Sequence, residues 1–357
     1  MRRLVALCLI FAHCFCRAQG ASEARPEPAA PAAGATVRTP LRRGPAFAYA
    51  ATALAVADFR GDGGLAAAVS DGRKVYLYPY PPLDAQPLAE YAYPGGAARL
   101  LSLEGADLAG DGRAAVFVSL YNDAFSRFET VVLTLDAKGV LRRAADIPYL
   151  VRGYQDPEGR PRLAAQQVAD DAAFPFGAIH PLVFKDGRYG PGKPALSFPG
   201  GRVDWLYDFT FLSSAGKAAT VDVTAADRLR VRFPGGPAWK SALACCEAPH
   251  RVRWAGDRWL PFRPALAVRD DARRRPGIYA VHNIAALDGL AAPLGLYSRA
   301  ELRRFDFDDL GLDPSWTAEL GGYGAGLALV RLPGGKEELA ALVVGAAGKS
   351  AIWAFAP

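Results

Sequence analysis

Short apolar runs recur along the chain, and each is closed by a turn rich in glycine and aspartate. Leu54-Ala-Val-Ala leads into Asp58-Phe-Arg-Gly-Asp62-Gly63, followed by Leu65-Ala-Ala-Ala-Val69 and Lys74-Val-Tyr-Leu-Tyr78. Forty-nine residues on, Leu103-Glu-Gly-Ala leads into Asp107-Leu-Ala-Gly-Asp111-Gly112, followed by Ala115-Val-Phe-Val-Ser119. Each unit reads as strand, tight acidic turn, strand. Glycine enters positive φ without steric cost, and aspartate bonds the backbone a few residues on, so these residue types suit the turn.

Fainter copies keep the spacing. Tyr154-Gln-Asp156-Pro-Glu-Gly159 precedes Leu163-Ala-Ala, and Asp208 to Gly216 precedes Ala219–Val223 and Leu229–Phe233. Leu266–Asp270 precedes Gly277–Val281, and Leu327–Gly335 precedes Leu339–Val344 and Ala351–Phe355. Self-similarity at about 50 residues is the mark of propeller blades or comparable arrays. The pattern therefore predicts an all-β protein, a β-propeller of six blades. A cryptic unit in the long stretch 240–310 would make seven. The sixth unit is one strand short, and residues 39–50 precede the first unit with no partner of their own. A strand there is expected to complete the last blade and close the ring, removing two sheet edges.

The repeated Asp-x-x-Gly-Asp-Gly followed by an apolar strand resembles the FG-GAP/VCBS repeats of integrin-α-like propellers, and the order of units resembles exported bacterial proteins of that class with no assigned activity. The resemblance implies acidic loops on one rim and a binding role for at least one face. It also implies loop calcium sites with carboxylates at positions one, three, five and nine. Here Asp58 and Asp62 stand with Arg60 and Ala66, and Asp107 and Asp111 with Ala109 and Ala115. The last loop has Arg331, Pro333 and Gly335. Calcium needs several oxygen ligands, so the loops are expected to keep their turn geometry and lose the metal. No other cofactor is expected.

Composition refines the picture. The chain has 357 residues, 51% of them hydrophobic, enough for a substantial core. Residues 1–20 read as a signal peptide: Arg2 and Arg3, an apolar stretch from Leu4 to Cys16, then small residues at Ala18 and Gly20. Thirteen apolar residues fall short of the roughly 20 that span a bilayer. Residues 21–38 read as an Ala/Pro-rich flexible linker, and 39–357 as the propeller. An exported, periplasmic or extracellular protein is the expectation, with no transmembrane segment. Loss of Arg2, Arg3 and Arg17 would lower the formal charge from +6 to +3, too small to argue for nucleic acid.

Export would also leave Cys245 and Cys246 as the only cysteines, side by side. They can close a vicinal disulfide that stiffens a turn and presents a face to a ligand, or they can be buried thiols. The histidines beyond the signal, His180, His250 and His282, lie at no metal-ligand spacing. His250, close to the cysteines, is the one to test. No Gly-x-Ser-x-Gly elbow, P-loop or zincin motif occurs, and Ser214-Ala-Gly-Lys217 falls in a repeat turn. No catalytic residue is assigned. Arg269 and Arg273–Arg275 form a basic run tempered by Asp270 and Asp271. Trp205, Tyr207, Trp239, Trp254, Trp259 and Trp316 serve either inter-blade packing or a sugar- or protein-binding platform.

The expected function is non-catalytic binding or scaffolding with a protein or polysaccharide partner. The alternative is a propeller enzyme acting on a polysaccharide, or a quinoprotein-like oxidoreductase.

Overall fold

The computed structural model describes residues 35–81, 84–94, 96, 98–169, 176–254, 258–269, 275–286, 296–308, 311–345 and 347–357. The signal-peptide reading, residues 21–34 of the linker reading, and Asp270, Asp271, Arg273 and Arg274 lie outside them.

Two short strands come first, β1 (Thr36–Val37) and β2 (Arg42–Arg43). The first blade is β3 (Ala53–Ala57), β4 (Ala66–Ser70), β5 (Lys74–Pro79) and β6 (Ala89–Ala92), and the second is β7 (Ala98–Ala106), β8 (Ala115–Asn122), β9 (Arg127–Leu135) and β10 (Leu141–Ile147). The third contains β11 (Leu150–Gln155), β12 (Pro161–Val168), β13 (Phe176–Lys185) and β14 (Arg188–Pro191). After a single 3-10 turn at Leu206–Asp208, the fourth follows as β15 (Phe209–Ser214), β16 (Lys217–Val223), β17 (Leu229–Arg232) and β18 (Ala238–Lys240). A separate hairpin, β19 (His250–Trp254) and β20 (Arg258–Phe262), precedes the fifth blade. That blade is β21 (Ala267–Arg269), β22 (Gly277–Ala285), β23 (Tyr297–Asp308) and β24 (Gly311–Glu319), and the sixth is β25 (Tyr323–Arg331), β26 (Glu337–Val344) and β27 (Ser350–Phe355).

Each blade is an antiparallel meander, and neighbouring inner strands touch in ring order: β3, β7, β11, β15, β21, β25 and back to β3. The fold is thus a six-bladed β-propeller. The stretch 240–310 does not hold a seventh blade. It holds the two-stranded hairpin and most of the fifth.

Alternation explains why the middle strands are apolar throughout. Ala66 and Ala68 of β4 pack with Leu100, Val116 and Val118 of the second blade, while Ala67 and Val69 pack with Ala340 and Leu342 of the sixth. A strand buried on both faces reads as a continuous apolar run, because successive side chains point opposite ways. Similar clusters fill the other wedges between blades, such as Val221 and Leu229 against Ile278 and Phe305.

Closure occurs where the sequence places it. β2 pairs antiparallel with β27, Arg42 opposite Ala354 and Arg43 opposite Trp353, and supplies the missing fourth strand. The joint is then tied by polar contacts. Glu338, 2% exposed on β26, accepts from Arg42 Nη2 at 2.7 Å and from the Tyr80 hydroxyl of the first blade at 2.5 Å. Buried Ser350 Oγ accepts from Ala51 N at 2.7 Å and donates to Tyr49 O at 2.8 Å. One difference from the sequence reading stands out. Thr36–Val37 falls within the 21–38 linker reading, yet it forms β1 and pairs in parallel with β24 opposite Trp316 and Thr317. Backbone pairing at an open sheet edge needs no apolar signature, so composition hides it.

The Glu338→Gln variant is expected to lose about 2 kcal/mol of stability, as befits a buried charge-assisted bond losing its charge. Chemical denaturation monitored by tryptophan fluorescence would measure it. A loss indistinguishable from zero would contradict the role given to this joint.

Candidate functional site

The first and second acidic turns share one geometry. Asp58 Oδ1 accepts from the backbone N–H groups of Arg60 (3.1 Å) and Gly61 (2.7 Å), and its Oδ2 from Gly63 (2.7 Å). Asp107 accepts from Gly110 (2.7 Å) and Gly112 (2.8 Å) in the same way. Gly61, Gly63, Gly110 and Gly112 all have positive φ, between 72° and 82°, which is why glycine stands there. Burial acts upward on the Asp58 carboxyl, but the N–H groups of Gly63, Gly61 and Arg60 hold it below the usual range. Asp62 accepts from Gly64 N and pairs with Arg60 Nε at 3.2 Å, and Asp111 accepts from Arg113 N at 3.0 Å. In the third blade Asp156 caps its turn through Glu158 N and Arg160 N and takes Arg160 and Arg162 as ion-pair partners. The carboxylates are engaged with their own loops.

These turns lie at the ends of the inner strands. Within the ring runs a channel of about 1310 Å³, lined at that end by Asp107, Asp156, Arg160 and Arg331. Small residues such as Ala55, Gly105, Gly153, Ala267 and Gly326 line its length, and a Cβ at Gly105, Gly153 or Gly326 would press on Phe59, Glu104 or Leu54 of the neighbouring blade, so glycine there lets adjacent blades approach. At the other end of the inner strands the β19–β20 hairpin lies across the ring. Trp254 packs on Tyr121 and Phe128, Phe262 packs on Tyr207, and Trp205 Nε1 donates to Pro261 O at 2.6 Å. Phe262 and Arg263 then enter the channel wall, so the hairpin end is floored and the channel is a funnel.

The funnel floor carries a buried ion pair. Arg152 Nη1 donates to Glu104 Oε1 at 3.1 Å, its Nη2 donates to Arg263 O at 2.9 Å, and its guanidinium lies 5.1 Å from the Tyr207 ring centroid. Burial pushes the Glu104 carboxyl up, against the pull of Arg152 and the Gly153 N–H. The sequence bears a trace of this pair. A charge interrupts each inner strand, in Leu103-Glu104-Gly105 and Val151-Arg152-Gly153.

Beside the hairpin lies a second cavity of about 510 Å³, between β20 and the loops of the fourth blade. Asp208, immediately before β15, receives Arg263 Nη1 at 2.5 Å, and Arg263 Nη2 reaches Asp227 at 2.7 Å. Asp222 is held by Arg230 and, at 3.2 Å, by Arg232 Nε. Burial pushes the Asp208 carboxyl up to about 7 although Arg263 pulls the other way. The repeat pattern carries no sign of this cluster because its members belong to three separate stretches of chain.

The structure sorts the remaining residues singled out by sequence. Cys245 and Cys246 are brought together between the fourth and fifth blades, 0% and 2% exposed. Their N–H groups donate to Asp227 O and Val281 O, and Cys246 has φ of 68°. Neither cysteine presents a face to solvent. His180 Nδ1 bonds Gly192 O and His282 Nδ1 bonds the Glu247 carboxylate. Burial drives His250 down to about 4, and its Nε2 has no partner. Ser214–Lys217 is the β15–β16 hairpin turn, with Ala215 and Gly216 at positive φ. Arg269 pairs with Glu337 at 3.1 Å, and Arg275 with Asp308. Trp205, Tyr207, Trp254 and Trp316 are buried packing residues, and Trp239 packs on Phe233 and Phe307. Trp259 differs, being 54% exposed and lining the second cavity.

No family model and no curated protein matches the chain. Among solved structures, two similar ones are described as BBS1N in complex with ARL6DN, soaked with lead in one case and with mercury in the other. Both are 13% identical with a TM-score of 0.37. The first comparison covers 82% of this chain and 74% of that chain, the second 85% and 78%. The functional reading therefore rests on the geometry alone. Among the described residues no helix is long and apolar enough to cross a membrane.

Asp208 carries a pH signature. Its folded-state pKa lies above the unfolded value near 3.8, so the folded state binds the extra proton between pH 4 and 7. Its contribution to stability is greatest below that window and falls as pH rises through it. The melting temperature of the wild type relative to Asp208→Asn is expected to decline between pH 5 and pH 8. A pH-independent difference would contradict the raised carboxyl.

Proposed function

We propose that this chain is a non-catalytic binding or scaffolding propeller that receives a protein or polysaccharide partner at the open mouth of its funnel. One observation carries the reading. The cavity within the ring is wide and floored by a hairpin, and its buried acid, Glu104, is committed to Arg152. A general acid or base has to be within reach of substrate and able to exchange its proton. A recess lined by alanine and glycine with charged groups at its rim suits insertion of a partner's loop or polymer end.

The finer assignments belong to the same proposal. The acidic turns favour a propeller of the FG-GAP/VCBS type, and the arginine and apolar residues at 1–20 favour export to the periplasm or beyond. In an oxidising compartment Cys245 and Cys246 form a disulfide that fixes the left-handed turn leading into the hairpin. The turns of Asp58 and Asp107 act as backbone-capped blade markers without calcium.

A second reading has Asp208 on its side. A carboxyl near neutrality in a cleft is what a polysaccharide-acting enzyme needs for its acid. Asp204, Asp222 and Asp227, however, are each engaged by an arginine, which among the described residues leaves the cavity no unpaired partner carboxylate for the two-carboxylate scheme.

The mouth variants Arg160→Glu and Arg331→Glu are expected to lose a stoichiometric partner that the wild type retains from envelope extract, while a glycan panel stays uncleaved. Retention unaffected by either variant would remove the funnel from the function, and glycan cleavage would favour the enzyme. Separately, calorimetric titration with calcium is expected to show no stoichiometric uptake, and chelator to leave the melting temperature unchanged. A stabilisation that grows with calcium concentration would contradict the capped-turn reading.

A further inference from the structure

The second cavity opens at the hairpin end of the ring, opposite the funnel mouth, and its contents do not serve the closure of the propeller. Trp259 is its conspicuous wall. A tryptophan on a short strand is normally turned inward, as Trp254 on the partner strand is, yet Trp259 stays 54% exposed. An open indole face offers a flat apolar surface with a polar edge, which suits a ligand that is apolar on one side and hydroxylated around its rim.

The charges of the cavity are mostly spent on one another. Arg202 pairs with Asp204 at 2.5 Å, Arg230 with Asp222, and Arg263 with both Asp208 and Asp227. Among the described residues Arg251 alone of the lining cations has no acidic partner, and it lies beside the neutral Tyr297 hydroxyl. Two donors are also buried without an acceptor: the Nε atoms of Arg251 and of Arg263, the latter residue 8% exposed. Those two atoms are enclosed by protein and do not face the cavity, whereas the guanidinium of Arg251, which lines it, matches a carboxylate in geometry and charge.

We propose that this cavity binds a uronic-acid unit of an acidic glycan, its pyranose ring on Trp259 and its carboxylate at Arg251. A volume of about 510 Å³ lies at the lower end of the range for small-ligand pockets, the size of one or two sugar rings. The paired Arg–Asp groups meanwhile present both donors and acceptors to ring hydroxyls, which accept and donate in turn. The site is separate from the funnel and does not depend on the reading given to it.

Saturation-transfer NMR and calorimetry with the full chain test this, using oligogalacturonate and oligoglucuronate against neutral cello-oligomers of equal length. Saturable binding of at least one uronate oligomer is expected, with the neutral oligomer much weaker. Trp259→Ala is expected to weaken uronate binding roughly tenfold or more. Arg251→Gln is expected to abolish the preference for uronate over the neutral sugar, and since Trp259 and the rim residue Arg202 are exposed, Trp259→Ala and Arg202→Ala should fold as the wild type does. The funnel-mouth variant Arg331→Glu should bind uronate unchanged, which separates this site from the partner site. No binding of either uronate, equal binding of neutral and acidic oligomers, or binding indifferent to Trp259→Ala and Arg251→Gln would each overturn the proposal.

Discussion

A ring of sheets must be closed by noncovalent contact between its first and last members, and everything else in this molecule presumes that the contact holds. Here the load falls on β2 against β27 and on Glu338, which gathers Arg42 and Tyr80 at one buried carboxylate. Without that joint the sixth blade would present a bare edge, and the wedge holding Phe47, Leu54, Tyr78 and Leu342 would open to water. β1 extends the same logic to the fifth blade, so one short stretch of chain covers the outer edges of two sheets.

Once closed, the ring gives the two ends of its channel different characters. The acidic turns stand at one end, their carboxylates bonded to their own backbone. The β19–β20 hairpin covers the other with Trp254, Phe262 and the 3-10 turn at Leu206–Asp208. That insertion also creates the cleft beside the fourth blade. The buried acids there face a wall that no propeller blade supplies.

Much of the ring was legible in sequence because it repeats. Asp58 and Asp107 mark turns that need glycine at fixed places, and the apolar runs after them are strands buried on both faces. Even the faint third unit kept its signal in Asp156, which caps its shorter turn through the backbone two and four residues on, where Asp58 and Asp107 reach three and five. What was not legible is what happens once. β1 is made by backbone pairing and carries no apolar pattern. The hairpin looked like room for a seventh blade, since period and length alone do not separate two strands from four. The Asp208–Arg263–Asp227 cluster joins residues 36 and 55 positions apart, and no local spacing encodes such a meeting. Of the aromatic residues, only burial distinguishes Trp259 from its packed counterparts.

The closing pair also sets an order on biosynthesis. Arg42 and Ala354 lie at opposite extremes of the propeller sequence, so the pairing cannot form until the chain through Ala354 has left the ribosome. Until then the earlier blades exist as an open arc with an unpaired flank at each end, the state in which β-rich chains most readily join to one another. The long contact makes folding of this ring slow to finish and dependent on keeping the arc apart from its neighbours.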